Sequence, residues 1–125
     1  NPWWHPLPEQ SLKKWRETGH SAAALAAIQW RYVVELTREE KQILPPEKFI
    51  EIRYEDFIQN PYNILKTVYS KMGLPNSRTA ENFLKTSVRP ANMNYKFRQH
   101  LSGREIALIA EITRETALTA GYSFS

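Results

Sequence analysis

The sequence lacks cysteine, and this absence limits the chemistry that its 125 residues can support. Without thiols, disulfide bonds and thiolate metal sites are excluded. The three histidines, His5, His20 and His100, lie far apart in the sequence, whereas a zinc site needs several ligands brought together. We therefore predict that the chain holds no metal.

Long hydrophobic runs are also missing. A transmembrane helix needs about 20 consecutive apolar residues, and the most apolar stretch, residues 22–28, is followed at once by Gln29, Trp30 and Arg31. We expect neither a membrane span nor a signal peptide in this chain. Since the chain begins with Asn1 rather than methionine, we expect it to be part of a longer protein. A bacterial origin would imply a cytoplasmic location.

Positive charge is in modest excess, because 17 Lys and Arg residues stand against 13 Asp and Glu residues and give a net charge of +4. Such a balance favours anionic partners such as a nucleotide, a nucleic acid or an acidic polymer. The basic residues are spread along every predicted element, whereas a nucleic-acid-binding module would cluster them on one helix. We therefore expect no nucleic acid partner and keep such a module only as the less favoured alternative.

The first twenty residues are rich in proline and tryptophan. They hold three of the eight prolines and three of the four tryptophans. The prolines exclude a continuous helix, because proline lacks the amide donor and clashes with the preceding turn. We predict an irregular arm over residues 1–20, with a short amphipathic turn around residues 11–17, followed by a helical body over residues 21–125.

A long helix is predicted from Ser21 to about Gln42. Ser21 is a favourable N-cap residue, and alanines of high helix propensity follow it. An apolar stripe at helical spacing runs from Leu25 to Leu36. The proline pair that comes next ends the helix.

A single β-strand is predicted over residues 49–54. The sequence there, FIEIRY, is rich in residues that favour β structure, and it lies between two proline-containing turns. A lone strand cannot satisfy its own backbone hydrogen bonds. We therefore expect it to join a parallel sheet with a missing N-terminal half, or to pair with a second copy as a homodimer.

Capping signals mark the elements that follow the strand. Asparagine followed by proline starts a helix, glycine ends it, and a Ser-x-x-Glu capping box starts the last helix. The predicted order is a helix from Asn60-Pro61 to Gly73, a short helix over residues 79–85, a basic loop over residues 86–99, and a helix from Ser102 to Gly121.

Two stretches, residues 52–75 and residues 94–122, carry motifs that exceed generic helix signals. The motifs are Arg53-Tyr54-Glu55-Asp56-Phe57, Asn60-Pro61, Gly73-Leu74-Pro75, Lys96-Phe97-Arg98, Leu101-Ser102-Gly103-Arg104-Glu105 and Gly121-Tyr122. Each motif would be weak alone, but all occur in register. In this order they resemble the C-terminal half of sulfotransferases, in particular the branch of bacterial enzymes and tyrosylprotein sulfotransferases.

The resemblance implies a P-loop NTPase-like α/β fold that transfers a sulfuryl group from 3′-phosphoadenosine 5′-phosphosulfate to a hydroxyl or amine acceptor. Family enzymes hold the 5′-phosphosulfate on a loop at a helix N-terminus, where backbone N–H groups bind anions. This sequence contains no Arg-Ser-Gly-Thr-Thr-like loop. The chain is therefore expected to be the C-terminal portion of an α/β enzyme, inactive by itself, with its catalytic residues outside the chain.

The resemblance carries over four cofactor-binding residues, Tyr54, Ser87, Arg89 and Lys96. Tyr54 matches a strand-end tyrosine that lies against the cofactor, and it offers an aromatic face and one hydrogen bond. The segment from Ser87 to Lys96 matches one that closes over the nucleotide, where the guanidinium of Arg89 can hold phosphate oxygens. The ordinary readings stay open, namely a half-buried tyrosine and solvated surface cations.

A non-catalytic helical interaction domain is the main alternative to an enzyme fragment. Most of the predicted elements are helices, as such a domain requires. The lone strand counts against this alternative, because a helical bundle does not need one.

Overall fold

The computed structural model describes residues 7–86 and 91–123, and these residues form two compact units. The first unit comprises the described residues up to Ile43 together with those from Phe97 onward, and the second runs from Leu44 to Lys96. The helices are α1 (Glu9–Glu17), α2 (Ala22–Ile43), α3 (Tyr54–Gln59), α4 (Pro61–Met72), α5 (Arg78–Thr86), α6 (Phe97–His100) and α7 (Gly103–Thr119), with a short 3₁₀ turn at Pro46–Lys48.

The core of the first unit lies between α2 and α7 and consists of small side chains. Small residues let two helix backbones approach closely, and the close packing removes what apolar surface they have from water. The buried residues are Ala24, Ala27 and Ile28 on α2 and Thr113, Thr116 and Ala117 on α7.

The start and end of α2 agree with the sequence-based prediction. The Ser21 hydroxyl accepts a hydrogen bond from the amide of Ala24 at 3.3 Å, as an N-cap residue does. The helix ends at Ile43, shortly before the proline pair. Trp15 fixes the preceding turn, because its indole Nε1 donates to the carbonyl of Ser21 at 3.0 Å.

Part of the predicted arm is helical rather than irregular. Helix α1 begins at Glu9, directly after Pro8, and extends to Glu17, so it is longer than the predicted turn over residues 11–17. Pro8 is tolerated because it occupies the N-cap position, where its missing amide breaks no helical hydrogen bond. A salt bridge between Arg16 and Glu9 at 2.6 Å spans the helix.

The predicted strand over residues 49–54 is wrong for the described part of the chain, which contains no β-strand. The backbone is extended at Phe49 (φ −130°, ψ 128°) and at Arg53 (φ −79°, ψ 136°), so the local β preference is expressed. A strand also requires a paired neighbour, and no second extended segment pairs with this one in the described residues. Tyr54 instead begins α3.

Helix α4 begins and ends as its sequence predicts, although one capping contact differs. Pro61 is its first residue, but the Asn60 side chain makes no capping hydrogen bond. Gly73 adopts a left-handed conformation with φ 68°, which glycine tolerates without steric cost. The amide of Leu74 donates to the carbonyl of Tyr69 at 2.8 Å, which completes the C-terminal cap.

Helix α7 confirms the predicted capping box. The Ser102 hydroxyl accepts from the Glu105 amide, and the Glu105 carboxylate accepts from the Ser102 amide at 2.8 Å. The Ser102 amide and the Ser102 hydroxyl both donate to the Glu105 carboxylate, and these two hydrogen bonds lower the pKa of Glu105, the one from the amide more strongly. The short helix predicted at residues 79–85 is also present, as α5.

The second unit has no buried residue among those that the structure describes. Several of its large apolar side chains are exposed, among them Met72, Phe83 and Tyr95. The helices over the described residues confirm the mostly helical character of the chain. The P-loop-like α/β fold stays a prediction.

Candidate functional site

Tyr54 stands at the first position of α3 and contacts the loop that precedes α6. Its hydroxyl donates a hydrogen bond to the carbonyl oxygen of Ala91 at 2.9 Å. The side chain is 44% exposed, so the ring face is open to a ligand although the hydroxyl proton is engaged. Of the two interactions that the resemblance implies for Tyr54, the aromatic face is the one that this geometry leaves available.

Glu55 makes a second contact with the same loop. The side-chain Nδ2 of Asn94 donates to Oε1 of Glu55 at 3.3 Å. The other carboxylate oxygen, Oε2, is out of contact with solvent and has no hydrogen-bond partner in the part of the chain that the structure describes. Neighbouring residues of α3 thus bind two points of one segment, Ala91 and Asn94.

The segment from Ala91 to Lys96, which we name the 91–96 segment, is exposed along its whole length. Its own hydrogen bonds shape a turn, because the Asn94 amide donates to Oδ1 of Asn92 at 2.9 Å and the Lys96 amide donates to the carbonyl of Met93 at 3.0 Å. Lys96 is therefore carried on a segment that contacts α3. Its ammonium group is exposed.

Two of the four sequence-predicted site residues can be located in the structure. Tyr54 and the segment that carries Lys96 belong to one unit and are joined through Ala91. The other two, Ser87 and Arg89, lie outside the described residues. Sequence reasoning missed the contact between Glu55 and Asn94, because the two residues are 39 positions apart and form no local motif.

The side chains at this site can contact two kinds of ligand group, a planar aromatic ring and an anion. The exposed face of Tyr54 can stack on a planar base, and Lys96 can attract a phosphate. The carboxylates of Glu55 and Asp56 follow Tyr54 directly and would repel a phosphate placed beside them. The described residues thus present an aromatic side chain and one exposed cation beside two carboxylates.

A polar cluster in the first unit lies beside a groove of about 550 Å³ between α1, α2 and α7. Glu35 accepts hydrogen bonds from the Thr116 hydroxyl at 2.7 Å and from Arg31 Nε at 2.8 Å. Partial burial raises the pKa of Glu35, but these hydrogen bonds and the charges of Arg31 and Arg38 outweigh it and lower the pKa overall. The cluster connects the two core helices and places both charge signs at the groove.

A cationic cluster joins α4 to α5 in the second unit. The ammonium groups of Lys66 and Lys85 lie 5.0 and 5.2 Å from the centre of the Tyr62 ring, within the range of a cation–π contact. Glu81 pairs with Lys85 at 2.6 Å, and the hydrogen bond from Lys85 lowers the pKa of Glu81. Every charge in this cluster has a partner, so it is better explained as a connection between helices than as a ligand site.

Neither a membrane-spanning helix nor a metal-ligand cluster occurs among the described residues. No helix there is both long and apolar enough to cross a membrane. Within the same residues, no group of three or more His, Asp or Glu side chains could hold a metal ion.

A comparison with protein-family models matches residues 7–78 to the sulfotransferase family. The match covers more than half of the chain and includes Tyr54 and the first of the two motif stretches, residues 52–75. The second stretch, residues 94–122, and the 91–96 segment lie beyond it. The chain belongs to the sulfotransferase family. A comparison with curated proteins finds no match, and a comparison with solved structures finds none either.

Proposed function

We propose that this chain is part of an enzyme that transfers a sulfuryl group from 3′-phosphoadenosine 5′-phosphosulfate to a hydroxyl or amine acceptor. The observation that carries the proposal is the family match, which includes Tyr54 and the helices from α1 to α4. The contact between Tyr54 and Ala91 supports it, because it brings the predicted nucleotide segment to the predicted nucleotide tyrosine.

The proposed role of this chain is to bind the nucleotide rather than to perform the transfer. The nucleotide, when bound, supplies the sulfuryl group and carries several negative charges. The Tyr54 ring would contact the base or the sugar, and Lys96 would attract a phosphate, together with Arg89 and Ser87. The sequence contains no loop of the Arg-Ser-Gly-Thr-Thr type, so the 5′-phosphosulfate grip and the catalytic residues are proposed to lie outside these residues.

Titration calorimetry with 3′-phosphoadenosine 5′-phosphate, on the protein that contains this chain, tests the proposal. Lys96→Ala should weaken binding by about tenfold, because a charge-assisted contact to phosphate contributes about 1.5 kcal/mol. Lys48→Ala is the matched control, since Lys48 is an equally exposed lysine of the same unit outside the candidate site. Absence of measurable binding by the unsubstituted protein would refute the proposal, and equal losses for the two variants would remove Lys96 from the site.

A non-catalytic interaction domain is the second candidate, and one observation favours it. The second unit exposes large apolar side chains and buries none of its described residues, which is typical of a surface that another protein covers. In the calorimetric experiment this candidate predicts no heat of nucleotide binding. It also predicts a concentration-dependent mass in sedimentation, or a stable complex with a second protein.

A further inference from the structure

Two hydrogen bonds attach the 91–96 segment to the first turn of α3, and we name this pair of contacts the clasp. One joins the Tyr54 hydroxyl to the Ala91 carbonyl at 2.9 Å, and the other joins Asn94 Nδ2 to Glu55 Oε1 at 3.3 Å. No residue of the segment belongs to a buried core, although Met93 and Tyr95 are only 46% and 56% exposed. The clasp supplies two directional contacts between the segment and the helix.

The two oxygens of the Glu55 carboxylate lie in different surroundings. Its Oε2 is buried without a hydrogen-bond partner among the described residues, and its Oε1 accepts from Asn94. The hydrogen bond between Asn94 and Oε1 is exposed, so water can replace Asn94 when the contact breaks, and the net contribution of this bond is about 1 kcal/mol.

We propose that Glu55, Asn94 and the Tyr54 hydroxyl are positioning groups that hold the 91–96 segment in the arrangement to which the nucleotide binds. In this arrangement Tyr54 has two separate functions: the hydroxyl fixes the segment, while the ring remains free to contact the ligand. The part of the inference that concerns the nucleotide rests on the proposed function, and the part that concerns the clasp does not.

An introduced negative charge and its compensation test the clasp in the chain itself. Asn94→Asp places a second carboxylate against Glu55, which repels it. Adding Glu55→Gln restores the contact with donor and acceptor exchanged, because the glutamine amide donates to the new aspartate. Asn82→Asp is the control, since it makes the same change at an exposed asparagine on α5.

The readout is hydrogen exchange of the Lys96 amide, which donates to Met93 within the segment. Loss of one hydrogen bond of about 1 kcal/mol should speed this exchange about fivefold in the Asn94→Asp variant. In the double variant, Asn94→Asp with Glu55→Gln, the Lys96 amide should exchange at the rate of the unsubstituted chain. The Asn82→Asp control should leave this rate unchanged. An unchanged rate in Asn94→Asp, or a doubly substituted chain as fast as the single variant, would overturn the clasp.

Tyr54→Phe separates the two functions of Tyr54, because it keeps the ring and removes the hydroxyl. In titrations with 3′-phosphoadenosine 5′-phosphate, the affinity should fall in proportion to the loss of the closed fraction of the segment, since only the closed segment is competent to bind. Tyr69→Phe, the same change on α4 of the same unit and outside the candidate site, is the control and should leave affinity unchanged.

The outcomes distinguish the inference from the proposed function. If the unsubstituted protein binds the nucleotide and Tyr54→Phe and Asn94→Asp bind it equally well, the positioning role is refuted and the proposed function stands. If the unsubstituted protein does not bind, the proposed function and the nucleotide part of the inference fail together. The exchange experiment then still decides whether the clasp exists.

Discussion

Thr116 shows how a single residue can join two distant helices. It is only 3% exposed, and its hydroxyl donates to the Glu35 carboxylate 81 positions earlier in the sequence. The same carboxylate accepts from Arg31 on its own helix, so it keeps one partner if Thr116 changes. The residue is therefore suited to a measurement of one interhelical hydrogen bond.

We predict that Thr116→Val lowers the free energy of unfolding by about 1 kcal/mol, because valine keeps the shape of threonine and removes its donor. Urea unfolding followed by circular dichroism measures the change. Thr119→Val is the control, since the Thr119 hydroxyl is exposed and donates only to the Glu115 carbonyl of its own helix. Equal destabilisation by the two substitutions would show that the contact with Glu35 contributes nothing.

Two helices of this chain start at residues with the same capping potential but different contacts. Ser102 caps α7 through its hydroxyl, whereas Asn60 precedes α4 without a side-chain hydrogen bond to it. Asparagine and serine are similarly favourable N-cap residues in general. The difference therefore comes from the backbone, which at Asn60 adopts φ −146° and ψ 62° after α3, and at Ser102 is extended.

At the scale of these elements, Ser102→Ala should cost about 1 kcal/mol of folding free energy, since it removes a formed cap. Asn60→Ala is its matched comparison and should cost only a few tenths of that, as no capping bond is lost. Thermal unfolding of the two variants beside the unsubstituted chain measures both effects. A loss at Asn60 as large as that at Ser102 would contradict the described geometry.

At the scale of the whole molecule, folding favours the charged form of three carboxylates among the described residues. The pKa of each is lowered: at Glu35 by hydrogen bonds and cations that outweigh burial, at Glu81 chiefly by Lys85, and at Glu105 chiefly by the Ser102 backbone. A carboxyl group whose pKa is lower when folded adds stability above its unfolded pKa. That contribution disappears as the pH falls through the folded pKa.

We therefore predict that stability is constant near neutral pH and falls below the ordinary carboxyl pKa of about 4.5. Unfolding midpoints measured in urea across this range give the dependence. Glu35→Gln should flatten the acid limb, because it removes one of the three described carboxylates whose pKa is lowered by folding. Glu39→Gln, an exposed residue of the same helix, serves as the control. An acid limb that is identical in Glu35→Gln and the unsubstituted chain would exclude Glu35 as a contributor.

Local sequence signals predicted the helices well and their partners poorly. The Ser21 cap, the Gly73 stop and the Ser102 capping box each depend on atoms within six residues, and all are present. The strand over residues 49–54 depends on a partner that local sequence cannot supply, and the segment is extended without one in the described residues. The arm was predicted as irregular because of its prolines, but a proline at the start of a helix is compatible with α1.

In the candidate site too, sequence motifs predicted individual residues but not the contacts between distant residues. Tyr54 and Lys96 were predicted from motifs, and the structure joins Tyr54 to the segment of Lys96. The contact of Glu55 with Asn94 could not be predicted, because hydrogen bonds between residues 39 positions apart leave no periodic or motif signal. The predictions for Ser87 and Arg89 stay predictions.

The sequence by itself determined where α2, α4 and α7 begin and end and which family the chain belongs to, because caps, stops and motifs are read over a few neighbouring residues. Only the tertiary structure decided which side chains meet across the chain. Glu35 with Thr116, Tyr54 with Ala91 and Glu55 with Asn94 each join residues more than thirty positions apart. Such contacts depend on how the chain folds back on itself, which the composition and spacing of local residues do not encode.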